Sequence, residues 1–124
     1  MILVDTNILV DFFNKPSLEQ AKVFAENEVA ICGVVEAELL HGATSEKQVK
    51  MIKNMFTGLK YIDVSACDWI EIGLLLLRLR KSGLAVPFAD AVIAYLAIRD
   101  NCSVWTRDKH FSLIKEKVPE LRLF

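Results

Sequence analysis

Four acidic residues stand beside apolar segments of the chain, where carboxylates are costly to bury and can carry chemistry. Asp5 directly follows the apolar "ILV" near the N-terminus, and Asp108 follows the apolar "VW" of "VWTRDKHF". Glu38 lies in "VVEAELLHG", and Asp90 is the lone acid of the apolar segment "PFADAVIAYLAI". A carboxylate in such a setting needs hydrogen bonds or a cation to compensate its charge. These four residues are therefore candidates for a functional site.

The secondary structure that positions the acids follows from apolar periodicity and helix-capping signals. Short β-rich runs predict strands at residues 2–4, 29–31, 61–64, 103–105 and 121–123. Helices are predicted at residues 6–13, from Ser17, through 36–40, from Ser45, and at 65–81, 87–100 and 109–115. This alternation of strands and helices predicts an α/β sandwich with a central, mainly parallel sheet flanked by helices.

The predicted topology brings the four acids to one edge of the sheet. Asp5 and Asp108 come at or just past the carboxyl ends of strands, and Glu38 and Asp90 lie in the first turns of helices. Open α/β sheets bind ligands outside the carboxyl ends of their strands, where the strand order reverses. We therefore expect all four carboxylates to face the same crevice.

Each acid also has a purely structural interpretation. Asp5 and Asp108 could be N-caps of the helices that follow them. Asp90 could be a first-turn acid favoured by the helix dipole, and Glu38, beside Glu36, could belong to a solvated helix face. Asp90 fits its structural interpretation least well, because its helix is apolar on nearly every face.

A converging cluster of carboxylates favours a bound divalent cation. Two carboxylates about 5 Å apart repel each other by about 3 kcal/mol at an effective dielectric constant near 20. Hard oxygen ligands suit Mg²⁺ or Mn²⁺, and such ions can activate water for attack on a phosphodiester. The residues alone thus indicate a metal-dependent phosphoryl-transfer site.

Composition restricts the class of protein. The chain has 124 residues, 53% of them hydrophobic and 25% charged, which predicts one globular domain spanning residues 1–124. No apolar run approaches the about 20 residues of a membrane span, so we expect a soluble, cytoplasmic protein without membrane contact. The three cysteines are far apart and predict neither disulfide nor zinc site. A net charge of −1 argues against coating nucleic acid electrostatically.

Four blocks of the sequence resemble, in order and spacing, those of PIN-domain ribonucleases. They are "ILVDTNILVDFF", "AICGVVEAELLHGA", "VPFADAVIAYLAI" and "VWTRDKHF". The resemblance covers essentially the whole chain and is closest to the VapC-type toxins of toxin–antitoxin pairs. It implies a PIN-like three-layer sandwich and a Mg²⁺- or Mn²⁺-dependent endoribonuclease. Its implied partners are an RNA substrate, a small cognate antitoxin and a second copy of the chain in a homodimer.

The resemblance also assigns roles to individual residues. It implies that the metal-binding and catalytic acids are Asp5, Glu38, Asp90 and Asp108. Glu38 is preferred to Glu36 because the family's acid directly precedes a leucine and comes four residues before a glycine. Supporting roles fall on Asn7, which braces the first loop, and on Thr106, a hydroxyl residue near the metal.

Other functions remain open at this stage. A PIN-like module that binds RNA without cutting it is one, and a receiver-like phospho-acceptor domain is another. Asp63 would be the acceptor of a receiver, but Asp5 is followed by Thr6 and lacks the paired acid such domains need. His110 is expected to be a solvated loop residue, with RNA contact as the alternative.

Overall fold

The computed structural model describes residues 1–124, which form five strands and seven helices, with one or two helices between successive strands. The strands are β1 (Ile2–Val4), β2 (Val29–Cys32), β3 (Lys60–Ile62), β4 (Ser103–Trp105) and β5 (Arg122–Leu123). The helices are α1 (Thr6–Asn14), α2 (Leu18–Glu26), α3 (Gly33–His41), α4 (Glu46–Phe56), α5 (Ala66–Lys81), α6 (Phe88–Arg99) and α7 (Lys109–Lys117). No helix combines the length and apolar character that crossing a bilayer requires.

All five strands pair in parallel, in the order β3-β2-β1-β4-β5. The predicted α/β sandwich with a central parallel sheet is confirmed. The chain builds one half of the sheet outward from β1 to β3 and then returns to the other side of β1 as β4. The strand order therefore reverses between β1 and β4, and their carboxyl ends flank the crevice where α/β sheets bind ligands.

Local sequence signals account for most element boundaries. Ser17 Oγ accepts the backbone N–H of Gln20, and Ser45 Oγ accepts that of Gln48, both at 3.1 Å, so both predicted N-caps are formed. The third strand ends two residues before the predicted position. There, the backbone N–H of Val64 bonds the Asp63 carboxylate (2.8 Å), and this local turn replaces strand pairing.

The core lies on both faces of the sheet and closes around β1 and α6. Leu3 and Val4 are fully buried, and six of the apolar residues of α6 are buried as well, as expected for a helix that is apolar on nearly every side: Ala91, Val92, Ile93, Ala94, Leu96 and Ala97. The start of α6, and with it Asp90, is thereby held rigidly against the sheet.

A buried carboxylate connects α5 to α6. Asp68 is 4% exposed and accepts hydrogen bonds from the backbone N–H of Ser65 (2.8 Å), the Ser65 hydroxyl (2.8 Å) and the Tyr95 hydroxyl (2.7 Å). Its Oδ2 also pairs with the Arg99 guanidinium. The hydrogen bonds from Ser65 and Tyr95 hold the pKa of Asp68 well below its ordinary value.

We predict that Asp68→Asn lowers the thermal midpoint at pH 7 by roughly 5–10 °C. The substitution removes the negative charge that these donors and Arg99 bind, and it leaves the charge of Arg99 without its partner. A lowered native pKa stabilises the fold above the unfolded pKa, and this stabilisation is lost as the pH falls through the native pKa. The difference between variant and wild type should therefore shrink in strong acid. Thermal unfolding followed by circular dichroism, with the exposed Asp63→Asn as control, measures it. Equal midpoints for Asp68→Asn and wild type at pH 7 would contradict this role.

Candidate functional site

The four predicted acids meet in one open depression at the carboxyl ends of β1 and β4. It measures about 350 Å³ and is lined by Asp5, Thr6, Asn7, Val10, Asp11, Glu38, Asp90 and Asp108. A larger depression of about 640 Å³ lies between α2 and the end of β4, but none of the four acids lines it. The smaller depression is therefore the candidate functional site. Asp63 does not line it, so the receiver-like arrangement is not formed.

Asp5 is fixed by three hydrogen bonds at the end of β1. It is 5% exposed, and its Oδ1 accepts the backbone N–H of Thr6 at 2.7 Å, which makes it the N-cap of α1. Its Oδ2 accepts the Thr106 hydroxyl at 2.7 Å and the Asn7 amide at 3.1 Å. Capping and membership of the cluster are thus compatible roles of one carboxylate.

The Thr106 hydroxyl joins the loops that follow β1 and β4. Besides donating to Asp5, it accepts the Asn7 amide at 3.2 Å and the backbone N–H of Asp108 at 2.9 Å. Asn7 Oδ1 in turn accepts the backbone N–H of Arg107 at 3.1 Å. Asn7 and Thr106 therefore lie where the sequence predicted supporting residues, and they hold Asp5 and Asp108 in register.

Asp108 is oriented from the other side by α7. Its Oδ1 accepts the backbone N–H of His110 at 2.9 Å, so it is the N-cap of that helix. Its Oδ2 is hydrogen-bonded to His110 Nδ1 at 3.3 Å. The expectation that His110 is a solvated loop residue is wrong, since it lies in α7 and contacts the acid cluster.

Asp90 is buried without a hydrogen-bond donor. The residue is 8% exposed, and its Oδ2 accepts no hydrogen bond. His110 Nδ1 lies 3.2 Å from this oxygen, but its hydrogen bond goes to Asp108. An unpaired buried carboxylate oxygen beside other acids is a strong indication of a missing cation partner.

Glu38 reaches the depression from α3, as predicted. Its Oε1 accepts the Thr6 hydroxyl at 2.9 Å, and its side chain is exposed to solvent at the mouth. Glu36, two residues earlier, is absent from the lining, and its charge acts instead on Tyr61 of β3. The structure thus separates the two glutamates in the way the sequence predicted.

Burial and mutual repulsion raise the pKa values of the two innermost acids. Burial raises the pKa of Asp90 to about 6, with further increases from the charges of Asp108 and Asp5 and a partial offset from His110. Burial also raises the pKa of Asp5, although the hydrogen bonds from Thr106 and Thr6 oppose it. Both shifts have the sign expected for carboxylates that are buried close to one another.

The set of donors fits a divalent metal ion. The depression offers oxygens of four carboxylates from four different elements, which is the hard ligand type that Mg²⁺ and Mn²⁺ prefer. The buried Asp90 oxygen supplies a ligand that no protein group satisfies. Asp11 also lines the depression. Its Oδ2 pairs with Arg107 Nη1 at 2.7 Å, so Arg107 borders the site.

His110 and Thr6 were not foreseen from the sequence as members of the cluster. Thr6 directly follows Asp5, and His110 comes two residues after Asp108, so the sequence shows that each lies near a predicted acid along the chain. The direction of its side chain depends on how the first turn of the following helix is rotated against the sheet, and sequence alone does not determine that rotation.

Comparison with known proteins identifies a family and two relatives that this chain resembles over nearly its whole length. A model of the PIN domain matches residues 2–117. Ribonuclease VapC1 of Methanocaldococcus jannaschii is 34% identical in an alignment of length 119 that covers 93% of this chain and 82% of the relative. Ribonuclease VapC2 of Rickettsia felis is 30% identical in an alignment of length 127 that covers 95% of this chain and 95% of the relative.

Solved structures share the fold over the full chain. VapBC2 from Rickettsia felis, bound to a DNA fragment from its promoter, superposes with a TM-score of 0.81 at 29% identity and covers 100% of this chain and 98% of that chain. DNA-bound VapBC from Salmonella typhimurium reaches a TM-score of 0.86 at 22% identity, covers 99% and 96% of the two chains, and supports the fold alone.

We predict that Asp90→Asn stabilises the metal-free protein at pH 7.5. Because the pKa of Asp90 is raised in the native state, this carboxyl group does not destabilise the fold at a pH below its unfolded pKa. The fold is destabilised as the pH rises through about 6 and the buried group must ionise. Since one pKa unit corresponds to about 1.4 kcal/mol, the gain should be about 1–3 kcal/mol at pH 7.5 and should vanish near pH 4. Urea unfolding in the presence of a chelator measures it, with Asp63→Asn as control. An Asp90→Asn protein that is less stable than wild type at pH 7.5 would refute this assignment.

Proposed function

Since the chain belongs to the PIN-domain family, as its four sequence blocks predicted, we propose that it is a metal-dependent endoribonuclease acting as the toxin of a type II toxin–antitoxin pair. The observation that carries this proposal is that four predicted carboxylates line one depression and that the buried Oδ2 of one of them, Asp90, accepts no hydrogen bond. The two curated relatives named Ribonuclease VapC support the same reaction class. We infer that residues 1–124 form a single PIN domain.

Asp5, Glu38, Asp90 and Asp108 would hold one or two Mg²⁺ or Mn²⁺ ions. When bound, such an ion neutralises the cluster, lowers the pKa of a water and stabilises charge on the phosphate. Hydrolysis of a phosphodiester adds the oxygen of a water molecule to phosphorus and breaks the bond from phosphorus to a ribose oxygen, which leaves with a proton. Deprotonated carboxylates of the cluster can accept the proton that the water loses.

The surrounding residues position these acids. Thr106 and Asn7 hold Asp5 Oδ2 from one side, and the backbone of α1 holds Oδ1 from the other. Thr6 orients Glu38 by donating to its Oε1. Fixed ligands need little reorganisation when substrate binds, which is the main protein contribution to a site of this kind.

The proposed partners follow from the similarity to these ribonucleases and to the solved VapBC structures. RNA is the substrate, and its cleavage is proposed to take place in the cytoplasm. A small cognate antitoxin would restrain the activity, because the solved neighbours include VapBC assemblies. We also propose a homodimer. An RNA-binding module without catalysis remains the second candidate, but the intact and converging acids favour the enzyme.

We predict that Asp5→Asn and Asp90→Asn each reduce RNA cleavage by about 100-fold or more, because each removes a ligand charge from the metal site. The measurement is digestion of total cellular RNA in Mg²⁺ or Mn²⁺ with mapping of the new 5′ ends. Asp63→Asn is the control, since its carboxylate is exposed and lies outside the depression. Undiminished cleavage by both folded variants would rule out the proposed function.

A matched pair of substitutions on α3 tests the assignment of the fourth acid. Glu38→Gln should reduce cleavage by about tenfold or more, because its carboxylate faces the depression. Glu36→Gln changes the same charge on the same helix and should leave the rate within about twofold. Initial rates on a defined RNA distinguish them, and a greater loss from Glu36→Gln would reverse the assignment.

A further inference from the structure

A histidine nitrogen reaches into the acid cluster. His110 lies in the first turn of α7, and its side chain is 43% exposed. Its Nδ1 is 3.2 Å from Asp90 Oδ2 and 3.1 Å from Asp108 Oδ1. One ligand atom from each of these three residues lies within 4.8 Å of the others. His110 does not line the depression itself, but it places a nitrogen beside two of the carboxylates that do.

The second observation is the state of Asp90. Its Oδ2 is buried, accepts no hydrogen bond and still lies in contact distance of the imidazole. The environment of Asp68, a structural carboxylate of this chain, is different. Asp68 is also buried, but it accepts three hydrogen bonds and forms an ion pair with Arg99. Asp90 is thus aimed at a ligand position shared with His110 and Asp108.

The separations from His110 Nδ1 to the two carboxylate oxygens are compatible with one six-coordinate ion. With metal–ligand bonds of about 2.1–2.2 Å, adjacent corners of an octahedron are about 3.0–3.1 Å apart. His110 Nδ1 lies 3.2 Å from the Asp90 oxygen and 3.1 Å from the Asp108 oxygen. The nitrogen can therefore occupy a position adjacent to each of these two oxygens around one ion.

We propose that His110 is a metal ligand and that it makes the site prefer a first-row transition dication to Mg²⁺. Imidazole nitrogen suits transition ions, whereas Mg²⁺ selects oxygen ligands and retains water in place of nitrogen. Coordination through Nδ1 places the ring proton on Nε2. The inference rests on the proposed function, because it concerns the metal of the same site.

A competing role for His110 makes the opposite prediction. If the imidazole served only as a positive partner for Asp90 and Asp108, an incoming metal ion would have to displace its charge. Removing the ring would then strengthen the binding of both Mg²⁺ and Mn²⁺. A ligand role requires that removing the ring weakens Mn²⁺ binding selectively.

The experiment is calorimetric titration of metal-free protein with Mn²⁺ or Mg²⁺ alone. It compares wild type, His110→Ala and the control His41→Ala, which removes the chain's other histidine at the exposed end of α3. We expect His110→Ala to weaken Mn²⁺ binding by about tenfold or more and to change Mg²⁺ binding by less than about threefold. His41→Ala should change neither.

Pulsed electron paramagnetic resonance of the Mn²⁺-loaded wild type gives a direct second readout. A ligated imidazole produces a ¹⁴N coupling, which should be present in wild type and in His41→Ala and absent in His110→Ala. An unchanged ratio of Mn²⁺ to Mg²⁺ affinity in His110→Ala, or a wild-type spectrum without nitrogen coupling, overturns the inference and leaves the proposed nuclease intact. Failure of wild type to bind either ion overturns both.

Discussion

The burial of neighbouring carboxylates at the carboxyl edge of the sheet is the constraint around which this structure is organised. Burial is the main cause that raises the pKa values of Asp5 and Asp90, and the charges of nearby acids raise both values further. Such an arrangement is unfavourable for the fold taken alone, since each buried charge needs compensation. It persists because the buried β1 and α6 hold the two acids from opposite sides. The rigidity of the core is therefore what allows a reactive site to exist at its edge.

Two aspartates at the starts of neighbouring helices show how the environment separates a structural carboxylate from a candidate metal ligand. Asp68 and Asp90 are both first-turn acids, and both are buried. Asp68 accepts hydrogen bonds from Ser65 and Tyr95, and its pKa is lowered, whereas Asp90 Oδ2 accepts no hydrogen bond and lies 3.2 Å from His110 Nδ1, and the pKa of Asp90 is raised. Burial alone does not distinguish them. The number of hydrogen bonds each receives does, because that number decides whether the charged form is stable without an added cation.

Much of the fold and the acid cluster could be predicted because both depend on local signals. Serine caps, apolar runs and strand–helix alternation predicted the order of elements, and the end-of-strand position predicted that Asp5 and Asp108 would meet. The interpretation of Asp5 as a helix cap is confirmed and is compatible with a role in the cluster, since Oδ1 caps α1 while Oδ2 accepts hydrogen bonds from Thr106 and Asn7. His110 was misplaced because its contacts depend on the rotation of α7, which is set by packing across the chain.

The Thr106 hydroxyl shows how a single group transmits order through the site. It donates to Asp5 and accepts from Asn7 and from the backbone of Asp108, so its hydrogen-bonding capacity is used toward both loops. A serine could reproduce these bonds, but its χ1 would be less restricted than that of a β-branched residue. Because Asp5 and Asp108 come from opposite ends of the sequence, their separation is not fixed by any local segment. The Thr106 network fixes it, and the position of a bound cation would depend on that separation.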